Sequence, residues 1–97
     1  MPAVFVAAQL AIHNRARYGR YVERFAATLR SFDGELLVAD GEPEVLEGEW
    51  GYDKFVLIRF SGRQEAERWA TSPAYRAIAG DREASTSTTA VLLRGVH

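Results

Sequence analysis

Residues 34–60 read GELLVADGEPEVLEGEWGYDKFVLIRF, two strand-like runs joined by an acidic connection punctuated by Gly and Pro. Glu35–Asp40 is the first run, and Gly41-Glu42-Pro43 is a turn. Glu44–Glu47 reads as a short extended piece, and Gly48–Asp53 bends the chain back into a second strand, Lys54–Phe60. In that strand Val56, Ile58 and Phe60 alternate with Phe55, Leu57 and Arg59, the period of two that separates the faces of a sheet. Two consecutive strands with no helix between them form a hairpin, and the rest of the chain must pack around it.

Working outward towards the N-terminus, Phe32 to Tyr18 form one stripe. Tyr18, Tyr21, Val22, Phe25, Leu29 and Phe32 recur at three- and four-residue spacing, as on one side of an α-helix. Asn14 supplies a side-chain N-cap. Asp33-Gly34 ends the helix, with Gly34 free to take the left-handed conformation. Before it, Ala3–Ile12 is apolar nearly throughout, as in a strand covered on both faces. One side carries Val4, Val6, Ala8, Leu10 and Ile12. The other carries Phe5, Ala7, Gln9, Ala11 and His13.

Towards the C-terminus, Ser61 and Gln64 have the spacing of a capping box ahead of a helix over Gly62–Thr71, with Ala66 and Trp69 inward. Ser72-Pro73 breaks this helix and restarts it, Ser72 as N-cap and Pro73 at the first helical position. Tyr75, Ile78 and Ala79 continue the apolar side. The Ser/Thr run 85–89 leads into a last strand, Ala90–Leu93. The order is β-α-β-β-α-β, the ferredoxin-like split unit, an α+β fold over residues 1–97 with both helices on one face of an antiparallel sheet. The uncovered face carries Phe5, Ala7, Phe55 and Leu57, which is too apolar to stay in water, so a partner is expected, most simply an identical subunit about a two-fold axis.

The chain has 97 residues, 12 basic and 13 acidic side chains and no cysteine. That size bounds it to one small domain. Without cysteine there is no disulfide, thiolate nucleophile or Cys-based metal site. The N-terminal apolar run is too short to cross a membrane and has no basic segment ahead of it, so no membrane partner is expected and the location is read as cytoplasmic. Charge is uneven along the chain. Residues 14–32 carry five arginines against Glu23, and residues 33–53 carry eight acidic side chains and no basic one. The slightly negative total and the lack of an aromatic-basic surface motif argue against nucleic acid. Neither a phosphate loop nor a dinucleotide glycine fingerprint is present.

Val45-Leu46-Glu47-Gly48-Glu49-Trp50, a hydrophobic strand ending in Phe60, then Ala66, Trp69, Ser72-Pro73-x-Tyr75 and Arg82 together resemble the family catalogued as domain of unknown function 1330. The resemblance runs from the first strand to Gly95-Val96. It implies a member of the dimeric α/β barrel superfamily, in which two sheets face each other across a dimer. Relatives there include small monooxygenases, dismutase-like haem proteins and lactone isomerases. The sequence departs from the family pattern at Asp33, at Ala39-Asp40-Gly41, and at Ala70-Thr71 and Ala74, where the family tends to have Gly, Arg-Gly-Gly, Tyr-Asn and Glu.

Candidate chemistry is sparse. His13, at the end of the first strand, is the candidate acid–base residue. Gln9 and Arg59 lie within strands, and a guanidinium buried there must be paired or hold an anionic or carbonyl ligand. Trp50 and Trp69 can wall the same pocket, and Glu47 and Arg82 can form an ion pair, structural or at the pocket. His13 and His97 lack metal-ligand spacing, so neither a metal nor a cofactor is expected, and terminal His97 is given no role. The expectation is a homodimeric small-molecule-binding protein, with a pocket on the helix-free face and a small carbonyl or phenolic compound as substrate of a cofactor-free reaction. The alternative is a non-catalytic structural or interaction module that uses the open face only for dimerisation.

Overall fold

The computed structural model describes residues 2–96, so His97 lies outside the described residues. The elements are β1 (Val4–Ile12), α1 (Arg15–Leu29), β2 (Glu35–Asp40), β3 (Lys54–Phe60), α2 (Arg63–Ala70), α3 (Pro73–Ser85) and β4 (Thr86–Arg94). The strands form one antiparallel sheet in the order β2-β3-β1-β4. This is the ferredoxin-like α+β arrangement expected from the sequence, with its second helix in two pieces.

Register assigns every strand residue to a face. Val4, Val6, Ala8 and Leu10 of β1 lie opposite Phe60, Ile58, Val56 and Lys54 of β3. These side chains face the helices, where Val4, Leu10, Ile58 and Phe60 are buried with Tyr18, Tyr21, Phe25, Leu29, Ala66, Trp69, Tyr75 and Ile78. On the other face Phe5, Ala7 and Gln9 lie opposite Arg59, Leu57 and Phe55, and opposite Leu93, Val91 and Thr89 of β4. No element covers that face among the described residues, and Val91 and Leu93 are 50% and 45% exposed.

Caps follow the local chemistry. Asn14 Oδ1 accepts from the Arg17 amide at 3.0 Å, and Ser72 Oγ accepts from the Tyr75 amide at 3.2 Å with Pro73 next in line. The Ser61–Gln64 capping box does not form: α2 starts at Arg63 behind Gly62 and has no side-chain cap. After α1 a 3-10 turn covers Arg30–Phe32, and Asp33, not Gly34, takes the left-handed conformation (φ 55°, ψ 26°). A short polar side chain tolerates that region by bonding locally.

Gly34 is needed for space. A Cβ there would lie 2.8 Å from Leu29 Cδ2 and 2.9 Å from Phe60 Cε1, both in the core. Gly34→Ala is expected to lose about 1–3 kcal/mol of stability by overpacking, read as a lower urea midpoint with unchanged slope.

The connection after β2 and the start of the last strand complete the sheet. The extended piece Glu44–Glu47 pairs with no strand among the described residues, and residues 41–53 form one irregular connection with Leu46 93% exposed. Its return is fixed by Asp53, whose amide donates to the Leu10 carbonyl at 2.8 Å and whose Oδ2 accepts from the Ile12 amide at 2.7 Å. The last strand begins at Thr86 rather than Ala90, directly from α3. Thr86 Oγ1 donates to the Arg82 carbonyl at 2.7 Å, closing the helix end, while β4 pairs with β1 along its full length.

Candidate functional site

The helix-facing side of the sheet carries a hollow. Ala39, Val56, Ala8 and Ala90 are successive neighbours across β2, β3, β1 and β4. Three of these four are alanines. The flanking rows are larger: Leu36, Ile58, Val6 and Leu92 on one side, Lys54, Leu10 and Thr88 on the other. Where the alanine row passes beneath the helices, side chains stop short of filling the layer. The result is a cavity of about 550 Å³ lined by these rows and by Tyr18, Tyr21, Val22, Phe25, Trp69, Tyr75 and Arg82. This lies in the range of small-molecule pockets. Val22, Leu36 and Ala39 line it and are exposed, so it is open to solvent on the β2 side.

The helices set the polar groups. Arg17 of α1 and Asp81 of α3 join at 2.7 Å, with Arg20 at 3.7 Å from the same oxygen. The arginine bond holds the Asp81 carboxyl below its ordinary range. That clamp brings Tyr21 and Tyr75 together, and their buried hydroxyls are 3.0 Å apart. Arg82 Nε donates to the Tyr75 hydroxyl at 3.2 Å. Burial, reinforced by Tyr75, pushes the Tyr21 hydroxyl far above the ordinary phenol range, so it stays protonated. Burial also raises Tyr18. The Lys54 ammonium sits 4.9 Å from the centre of the Tyr18 ring, and burial draws its pKa down.

Trp69 forms part of the wall. Its ring lies 4.2 Å from Tyr75, 5.4 Å from Phe60 and 6.0 Å from Phe25, centroid to centroid. Its Nε1 donates to Thr28 Oγ1 at 2.9 Å, which in turn donates to the Phe25 carbonyl at 2.7 Å.

Of the residues expected from sequence to form the pocket, the structure brings only Trp69 and Arg82 to this cavity. Gln9 and Arg59 lie on the helix-free face, as their alternation predicts, where Arg59 is exposed in the single chain and in register with Glu35. His13 is exposed at the end of β1, with Nε2 2.7 Å from Ser87 Oγ. Trp50 packs against Tyr52 and Phe55, at 5.4 and 6.3 Å, so the two indoles do not share a pocket. Glu47 is exposed in the 41–53 connection and forms no ion pair with Arg82 among the described residues. Arg82 instead donates from Nε to the Tyr75 hydroxyl. Tyr18, Tyr21 and Lys54 were missed as site residues, because they occupy inward positions of an apolar stripe and a strand. The signal was the hydroxyls themselves, placed where leucine would serve a core better.

The sequence pattern of the family described as domain of unknown function (DUF1330) matches residues 3–96. No curated protein matches. Among solved structures, a Rhodopseudomonas palustris protein of unknown function superposes with a TM-score of 0.84 at 11% identity, covering 99% of this chain and 84% of that one. A dimeric ferredoxin-like protein of unknown function from Jannaschia sp. CCS1 gives 0.73 at 16% identity, covering 94% and 97%. SnoaB, a cofactor-independent oxygenase from Streptomyces nogalater, gives 0.71 at 14% identity, covering 100% and 96%. At these identities the likeness is one of fold. No described helix is long and apolar enough to cross a membrane.

Proposed function

The chain belongs to the family described as domain of unknown function (DUF1330), and from that premise we propose that it is a homodimeric protein that binds a small, largely apolar molecule in the cavity beneath its helices, a carbonyl or phenolic compound that it turns over without a cofactor. The observation that carries this reading is the 550 Å³ cavity itself, apolar along the alanine row and set with hydroxyls at one end. A core built only for stability closes to a density near that of organic crystals. This one keeps open a space that larger side chains at the three alanines of the Ala39–Ala90 row would narrow. The cofactor-independent oxygenase with the same fold supports the enzymatic part of the reading.

Two observations support the dimer. The helix-free face is a contiguous apolar surface of Phe5, Ala7, Leu57, Val91 and Leu93. Beside it the Trp50 indole N–H is buried without an acceptor among the described residues, a cost that a partner's carbonyl would remove.

The test is a thermal-shift screen of lactones, quinones, phenols, aromatic ketones and small acids. A ligand at a hundred times its Kd adds about 2.7 kcal/mol to the native state, on the order of 10–20 °C in Tm for a chain of this size. Ala90→Phe, which projects a ring into the cavity from an exposed position on an edge strand, is expected to remain folded and lose most of the shift. A shift that survives Ala90→Phe, or no shift with any compound, counts against the cavity as the site.

A further inference from the structure

Building on the reading of the cavity as a ligand site, we propose that its ligand is an acid: a one- or two-ring molecule whose carboxylate or ionised hydroxyl is received between Lys54 and Arg82, beside the Tyr21–Tyr75 pair.

The cavity wall holds more hydrogen-bond donors than acceptors. The charged groups on the cavity wall are Lys54, Arg82 and Glu67. Glu67 is a rim residue, its side chain 62% exposed and already bonded to Arg63 at 2.8 Å. Both cations are half-buried, and neither has a carboxylate within 4.0 Å among the described residues. Of the two acids that flank Arg82 in sequence, Asp81 is taken by Arg17 and Arg20, and Glu83 is exposed to solvent, acting on Arg82 through its charge without an ion pair among the described residues. Arg82 spends its Nε on Tyr75 and keeps its terminal nitrogens as donors. Lys54 rests over the Tyr18 ring, a contact that stabilises a cation but accepts no proper hydrogen bond.

The hydroxyls add to the surplus. Tyr21 and Tyr75 hold two O–H hydrogens between them, and their mutual bond uses one. The Arg82 N–H occupies a lone pair on Tyr75. One phenolic O–H is therefore left over with no acceptor among the described residues. Two cations and a spare O–H at the polar end of an otherwise apolar cavity make a site rich in donors and short of acceptors. A neutral apolar guest would leave them unmatched in a partly desolvated place, which is costly. An anion matches all of them, and charge-assisted bonds are about twice as strong as neutral ones. The lowered Lys54 pKa agrees, because it reports a cation that burial has not yet compensated.

The experiment compares matched pairs that differ only in charge: benzoate with benzamide, and 2-naphthoate with 2-naphthamide, by calorimetry at one ionic strength. Wild-type protein is expected to bind at least one carboxylate about tenfold or more tighter than its amide. Lys54→Met and Arg82→Gln are each expected to bring that ratio to about threefold or less, and Arg82→Lys is expected to restore part of it. Equal or tighter binding of the amides to wild type overturns the proposal and leaves the cavity reading standing. Binding of neither member of either pair overturns both. The wild-type comparison decides the matter even where Arg82→Gln does not fold.

Discussion

Leu57→Asp is expected to yield a folded monomer that still binds ligand. Leu57 sits on a central strand of the sheet, on the helix-free face, with Ala7 beside it and Val38 and Val91 completing the row across four strands. If two copies meet on this face, a two-fold axis places the substitution in the interface twice. Each copy removes a leucine contact worth about 1.5–3 kcal/mol and buries an unpaired carboxylate in its place. A dimer weakened by about 4 kcal/mol or more dissociates about a thousandfold more readily. The protomer should survive, because Leu57 points away from the cluster that holds β3 to the helices. Sedimentation velocity reads the mass, and calorimetry on the same sample reads the ligand. Since the cavity opens on the other side of the sheet, affinity should change little. An unchanged dimer mass would mean that this face is not the interface. A monomer that has lost its ligand would mean that the partner shapes the cavity across the sheet.

The two faces were legible in the sequence to very different degrees. Alternation along Val4–Ile12 and Lys54–Phe60 assigns each residue to a side, and the register confirms the assignment residue for residue. Ser72-Pro73 announces the break between α2 and α3, because a hydroxyl cap followed by proline can hardly be anything else. The site was not legible in this way. Ala39, Ala8 and Ala90 come from three strands, and their falling into one row depends on how β2, β1 and β4 slide against β3 and one another. The shift between Leu36 and Val38 decides where Ala39 lands. A single sequence carries alternation within a strand but not offset between strands, so the hollow was invisible. The polar residues that stand out in the strands, Gln9 and Arg59, belong to the opposite face. The same limit explains Tyr21 and Tyr75. Each is an ordinary stripe residue on its own helix, and only the packing of α1 on α3 brings the hydroxyls within 3.0 Å.

Trp69 is where the core and the site are the same object, and its substitutions should separate the two roles. Trp69→Ala removes a ring in contact with Tyr75, Phe60 and Phe25 from a position 5% exposed. Such a change costs about 3–5 kcal/mol, a large share of the 5–15 kcal/mol that holds a small domain together. Partial unfolding at ambient temperature is expected, read as a cold-shifted melt and loss of cooperativity. Trp69→Phe keeps most of the ring area and gives up the indole bond to Thr28. Thr28 Oγ1 retains the Phe25 carbonyl, so no buried hydroxyl is stranded, and the loss should be only about 1–2 kcal/mol. Thr28→Val is the harsher partner change in spite of its smaller size, because it leaves the indole N–H buried with no acceptor. The double variant Trp69→Phe with Thr28→Val should then be less damaged than the sum of the two, a coupling measurable by urea denaturation. For ligand binding the order differs. Trp69→Phe leaves Lys54 and Arg82 in place and keeps an aromatic ring against Tyr75, so it should weaken binding through lost wall area and spare the preference for acids. A loss of that preference with Trp69→Phe would mean that the indole itself, rather than the two cations, selects the ligand.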